Sequence, residues 1–386
     1  MSSHQTTPSG LPRARSIGIP FDGNPGLNNA ITDVGGVEVG YVTLIEGSGP
    51  MRVGEGPVRT GVTAILARGR DGWGTGCAAG FCSFNGNGEL TASHWLAETG
   101  ILSSAVLITN TYAVGTAHRG VVDWINQNRP GQLPWEFPVV AETYDGYLND
   151  VSGAHVTTGH AVTAIDHAQG GPIDEGSVGG GTGMCCYGYK GGSGTASRLV
   201  TDGSGTWTVG AFVQANFGRR RQLTIAGHPV GKELLDDNPL ETSDWFLPAG
   251  SGSVIAVVAT DAPLLPHQCS ALARRCTLGI GRTGTTGSHS SGDIFLAFST
   301  ANPGQLSSET GPGSPRPGQL RHLDFLGWDN IDGLFEATVQ SVEEAVLNAL
   351  VANTEMTGRD HHRMPALPRD RVTALLGRSS QGLFPK

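Results

Sequence analysis

Charge is scarce in this chain: charged residues fill 15% of its 386 positions, against about a quarter in an ordinary globular protein. What charge there is leans acidic, with 25 basic against 34 acidic residues and a net −9. The one dense basic run is Arg219-Arg220-Arg221, too little for the broad basic face that nucleic acid requires, so DNA and RNA are set aside as partners. The six cysteines, Cys77, Cys82, Cys185, Cys186, Cys269 and Cys276, include no CxxC pair; they read as buried free thiols and not as a zinc or dithiol site. The twelve histidines include no HExxH, and no GxSxG elbow occurs with a usable His and Asp order. No metal or cofactor is expected. No apolar run approaches the roughly 20 residues that span a bilayer, and the N-terminus has no apolar stretch suited to a secretory signal. The expectation is a soluble cytoplasmic protein with no membrane partner.

Glycine is what the chain has in excess, 59 residues, more than twice the usual share of about 7%. It follows no three-residue period, which excludes collagen, and a hydrophobic fraction of 38% is too high for disorder. Residues 1–15, rich in Ser, Thr and Pro, read as a mobile tail ahead of a single domain over 16–386. Val37 to Leu44 and Val62 to Ala67 predict strands. Glu89 to Thr99 predicts a helix closed by a left-handed Gly100, and Leu334 to about Leu350 predicts the clearest helix, with Phe335, Val339, Val342, Val346 and Leu350 at three- and four-residue steps. Ala168 to Gly176 reads as a loop and Pro303 to Gly318 as a surface excursion.

Two glycine clusters, Gly179 to Met184 and Lys190 to Arg198, suit backbone that must approach something closely. The one strict GxGxxG, Gly279 to Gly284, follows a helical pattern and no new helix follows it, so a turn is the better account than a pyrophosphate site. More informative is Pro248-Ala249-Gly250-Ser251-Gly252-Ser253 running into Val254 to Pro263. A Gly-Ser turn feeds a nearly all-apolar strand, which puts a serine at the tip of a buried strand. Breaking the bond before such a serine frees an α-amine with a pKa of about 7.7–8.0. That amine can take the proton from its own hydroxyl, so one residue holds nucleophile and base.

At these residues the chain resembles the self-cleaving aminopeptidases, the family of L-aminopeptidase/D-amino-acid esterase-amidases and β-peptidyl aminopeptidases. The blocks that carry the resemblance include Ala30 to Val34, Asn85 to Thr91, Ile108 to Thr111, Ala141 to Gly146, Val213 to Gly218 and Ser291 to Thr300. It implies an α/β layered fold, an αββα sandwich like that of N-terminal-nucleophile hydrolases with different strand connectivity. It also implies self-cleavage at Gly252-Ser253 into chains 1–252 and 253–386, which assemble as a tetramer of cleaved pairs.

Site roles follow from the same resemblance. The strand ending Ala259 to Pro263 puts Ser253, not Ser251, at the matching distance for the nucleophile. Asn216 matches the oxyanion-hole amide, Ser291 and Asp293 match a Ser-Gly-acid pair that orients the new amine, with Asp where some members have Glu, Glu142 matches the acid that meets the substrate amine, and Tyr144 matches a tyrosine near the oxyanion. The activity implied is a serine aminopeptidase, amidase or esterase acting on short peptides or amino-acid amides through an acyl-enzyme. The alternatives are an acyltransferase on a related fold, whose members generally use Thr where this chain has Ser253, and a non-catalytic glycine-rich binding protein.

Overall fold

Alternation along two strands decides the layering. In β11 (Gly252–Thr260) Val254, Ala256 and Val258 enter one core while Ile255, Val257 and Ala259 enter another. In β12 (Ser291–Ser299) Phe295 and Ala297 likewise face away from Ile294, Leu296 and Phe298. Strands apolar on both faces need a layer on each side. The computed structural model, which describes residues 2–129, 136–242, 251–307 and 320–382, supplies those layers as an αββα sandwich.

The larger sheet has six strands in the order β4 (Ile101–Leu102), β3 (Cys77–Ser83), β12, β11, β10 (Gly205–Asn216) and β9 (Gly192–Asp202). The smaller has four, β1 (Glu38–Glu46), β2 (Val58–Leu66), β5 (Val106–Asn110) and β6 (Val139–Thr143). Neighbours run antiparallel except β11 with β12 and β5 with β6. Parallel neighbours need a crossover, and helices α6 (Pro266–Arg282) and α2 (Val114–Asn128) provide them. α6 and α7 (Asp332–Val351) cover the larger sheet; α2 and α3 (Thr158–Asp166) cover the smaller. Between the sheets, Phe212, Ile255 and Leu296 meet Ile65, Ile108 and Ala141. Each buried Ile, Leu or Phe contributes about 1.5–3 kcal/mol, and the chain holds together with all six cysteines free.

The apolar periodicity of α7 is borne out, and glycine lets that helix close on the sheet: a Cβ at Gly194 of β9 would lie 2.0 Å from the Ala345 carbonyl oxygen. Other expectations need correcting. The first helix, α1 (Ser93–Thr99), does end on a left-handed Gly100, φ 65°, but starts four residues late. Long-range bonds hold the preceding chain extended: Leu90 bridges to Ala141 and the Thr91 amide donates to the Val140 carbonyl. The GxGxxG segment is no free turn, since Gly279 to Arg282 are the last turn of α6, where Gly279 packs against Val342. The chain before residue 16, read as a mobile tail, is tied to the body instead. Arg13 is 3% exposed, pairs with Glu175 at 2.6 Å and donates to the Thr195 and Asn29 carbonyls, while Arg15 pairs with Glu344 at 2.6 Å. Composition made this segment look unstructured; a buried and a half-buried arginine paired with distant acids overrule it.

Of the excursion 303–318, residues 308–318 lie outside the described residues, as do 248–250 ahead of Ser251. Among the described residues no helix is long and apolar enough to cross a membrane.

Candidate active site

Two registers gather the residues around the Gly252-Ser253 bond. In the antiparallel β10–β11 pair Ser253 stands opposite Asn216; in the parallel β11–β12 pair Gly252 stands beside Ser291 and Ser253 beside Gly292. Side chains alternate across a strand, so Ser253 shares the inter-sheet face with Ile255, while Ser291 and Asp293 share the helix-side face with Phe295. Glycine is needed here for space. A Cβ would lie 1.9 Å from the Asn216 carbonyl oxygen at position 252 and 2.3 Å from the Asn87 carbonyl oxygen at position 292.

Ser253 is 3% exposed, and its Oγ donates to the Gly252 carbonyl at 2.6 Å, so the hydroxyl lies against the peptide group that precedes it. Ser251 also reaches the cavity, but its Oγ donates to Ser290 Oγ at 3.0 Å. Asn216 is gripped at both ends of its amide: the Cys185 amide, in the two-residue strand β7 (Cys185–Cys186), donates to Oδ1 at 2.8 Å, and Nδ2 donates to the Tyr144 carbonyl at 2.9 Å. The first bond fixes which end is Nδ2, and the second N–H of Nδ2 has no partner among the described residues. A neutral donor held rigidly on a cavity wall is what a developing oxyanion requires.

Ser291 Oγ donates to Asp293 Oδ1 at 2.5 Å, and Asn85 Nδ2 donates to Oδ2 at 2.7 Å. Burial pushes the Asp293 carboxyl above the ordinary aspartate range, opposed by those two bonds and by the Val254 amide. Val254 directly follows Ser253, so this pair stands at the backbone from which a freed Ser253 amine emerges.

Glu142 comes from the other sheet, near the end of β6, and is 3% exposed. The Thr111 hydroxyl donates to Oε2 and the Glu89 amide to Oε1 at 3.2 Å. Burial pushes its carboxyl up, with those bonds holding it back, and among the described residues it pairs with no cation. A buried carboxylate without a counter-ion suits a ligand that brings its own positive charge.

Glu142, Tyr144, Asn216, Gly252 and Ser253 line one cavity of about 430 Å³, a size suited to a small ligand. Ser291 and Asp293 do not line it; they back it from the neighbouring strand. Tyr144 reaches Asn216 through its main-chain carbonyl, a contact that sequence matching did not foresee. Sequence reasoning also missed Thr111 and Asn85 as partners of the two acids, although both lie in blocks that carry the resemblance, because nothing local pairs residues 31 or 208 positions apart. Arg220 was part of the basic run but is buried, its guanidinium donating to the carbonyls of Tyr187, Gly188, Leu234, Asp236 and Asp237. It is structural. Among the described residues no cluster of three or more His, Cys, Asp or Glu side chains could hold a metal.

Residues 29–364 match the model of peptidase family S58. A relative 48% identical over 374 residues, spanning 95% of this chain and 92% of its own length, is the beta-peptidyl aminopeptidase BapA of Sphingosinicella microcystinivorans. Among solved structures, the L-aminopeptidase D-Ala-esterase/amidase of Ochrobactrum anthropi, described as a new variant of the Ntn hydrolase fold, superposes with a TM-score of 0.87 at 44% identity, over 95% of this chain and 99% of its own. A β-aminopeptidase from Burkholderia sp. superposes with a TM-score of 0.85 at 43% identity, over 97% and 100% of the two chains.

Proposed function

Because this chain belongs to peptidase family S58 and is a serine-type hydrolase of the aminopeptidase, amidase and esterase kind, we propose that it works as an autoprocessed enzyme with Ser253 as nucleophile. The supporting observation is the meeting of Ser253 with Asn216 on one neighbouring strand and the Ser291–Asp293 pair on the other, beside a cavity that also holds the uncompensated Glu142. In processing, Ser253 Oγ attacks the Gly252 carbonyl carbon, the C–N bond gives way to an ester, and the departing amine takes the hydroxyl proton. Water then hydrolyses the ester and frees the Gly252 carboxylate.

In turnover the Ser253 α-amine, oriented by Ser291 and Asp293, takes the Oγ proton as the oxygen attacks the substrate carbonyl. Asn216 Nδ2 holds the oxyanion. The substrate's amine or alcohol leaves with that proton, and water, activated by the same amine, releases the acid from the acyl-enzyme. The same reading takes 16–386 as one catalytic domain cut into two chains, working as a cytoplasmic tetramer of cleaved pairs on short peptides or amino-acid amides.

Intact mass and N-terminal sequencing test the premise. The expected products are residues 1–252 and a 134-residue chain beginning at Ser253 (386 − 252 = 134). An uncut, fully active chain overturns the mechanism.

Glu142 is the acid that meets the substrate's ammonium. An amide with a free amine is therefore cut while its N-acetylated form is not, and Glu142→Gln loses about 10- to 100-fold of that preference. Because burial raises this carboxyl, it takes up its proton at a higher pH than an ordinary glutamate. Protonation of Glu142 adds its own fall in kcat/KM for amine-bearing substrates as pH is lowered, on top of the fall set by the Ser253 amine, and Glu142→Gln removes the Glu142 part and leaves the amine's. A pH profile of both proteins checks it; an unchanged limb and preference place amine recognition elsewhere.

A further inference from the structure

We propose that Arg219 docks the free carboxylate of the leaving amino acid, so that the preferred substrates are zwitterionic short peptides. The inference rests on the aminopeptidase reading of the same cavity. Arg219 lies three residues past Asn216, where the chain leaves β10, and its half-buried side chain forms part of the cavity wall. The buried arginines Arg13 and Arg198 are occupied by Glu175 and Glu344, and Arg220, on the same cavity as Arg219, is occupied by its five carbonyls. Among the described residues the Arg219 side chain makes no ion pair and no hydrogen bond; only its backbone is engaged, the amide donating to Gln222 Oε1 and the carbonyl accepting from the Gln222 amide.

The cavity therefore has polarity. Glu142 reaches it from β6 of the smaller sheet, Arg219 from the end of β10 in the larger one, and Ser253 with Asn216 lies on the side of the cation. A peptide with both ends free has a matching order: its ammonium precedes the scissile carbonyl and its carboxylate follows it. A guanidinium meets a carboxylate through two parallel N–H bonds, a planar match that an ammonium cannot make. The other acid on this wall, Glu241, is exposed and lies in the field of Arg220, which leaves the Arg219 side as the place for a second carboxylate. A cavity of about 430 Å³ accommodates a dipeptide or tripeptide, whose carboxylate is close to the bond that is cut; a longer chain carries it out of reach.

The test uses the mature protein and three dipeptides, L-alanyl-L-alanine, D-alanyl-L-alanine and β-alanyl-L-alanine, each as the free acid and as the C-terminal amide. For whichever is cleaved, kcat/KM of the acid should exceed that of the amide by about tenfold, the factor a charged hydrogen-bonded pair provides. In Arg219→Gln that ratio should fall to near one, mainly through KM, and Arg219→Lys should fall between. Equal rates for acid and amide in the unaltered protein overturn the role of Arg219 without needing either variant to fold, and an undiminished ratio in Arg219→Gln overturns it as well. A protein that is processed but cleaves none of the six compounds overturns the aminopeptidase reading itself.

Discussion

Ser253→Ala should remain a single chain of 386 residues and lose turnover by at least about 10⁴-fold, the scale on which removal of a catalytic nucleophile is felt. Both losses have one cause, since the hydroxyl that attacks the substrate is the one lying 2.6 Å from the Gly252 carbonyl oxygen. The methyl group of alanine is tolerated in a strand already packed by Val254 and Ile255, so the purified variant should fold. Ser251→Ala is the control. It removes a hydroxyl bonded to Ser290 and should still be cut, with activity within a few-fold of the parent. A denaturing gel and a steady-state assay read both variants, and the opposite pattern shifts the processing site by two residues.

Asn216→Asp should lower kcat by about 10²- to 10³-fold, the loss that follows removal of one oxyanion donor, with little change in KM. Aspartate keeps the oxygen that accepts from the Cys185 amide and gives up the donor that faces the cavity and the Tyr144 carbonyl. It therefore removes the donor while keeping the bond that holds the Cys185 backbone. Asn216→Ala removes both and should add a loss of thermal stability, because the Cys185 amide is left without its acceptor. Full kcat in Asn216→Asp reduces the residue to a structural bracket.

The legible parts of this protein were the ones in which neighbouring residues carry the signal. The apolar run after Ser253 predicted a buried strand, the three- and four-residue spacing of Val339, Val342, Val346 and Leu350 predicted α7, and Gly100 predicted the end of α1. Ordered blocks such as Asn85 to Thr91 and Ser291 to Thr300 pointed to the family, and with it to the layered α/β fold. The same blocks named Ser253, Asn216 and Glu142 as candidates, but a block says nothing about what each residue touches.

Those contacts belong to the tertiary structure. Only the β10–β11 and β11–β12 registers set Ser253 across from Asn216 and beside Gly292, between Ser291 and Asp293. Only the packing of two sheets faces Glu142 toward the same cavity with no cation beside it. Charge was the least legible property of all: three basic residues in a row read as one dense basic run, yet Arg220 is buried on five carbonyls while Arg219 lines the cavity. Arg13, from a stretch that composition marks as a tail, is buried against Glu175, 162 positions away. Periodicity is a local property because a helix or strand repeats over a few residues. Strand register and the partner of a buried charge depend on chain segments far apart in sequence, and only the folded core brings those together.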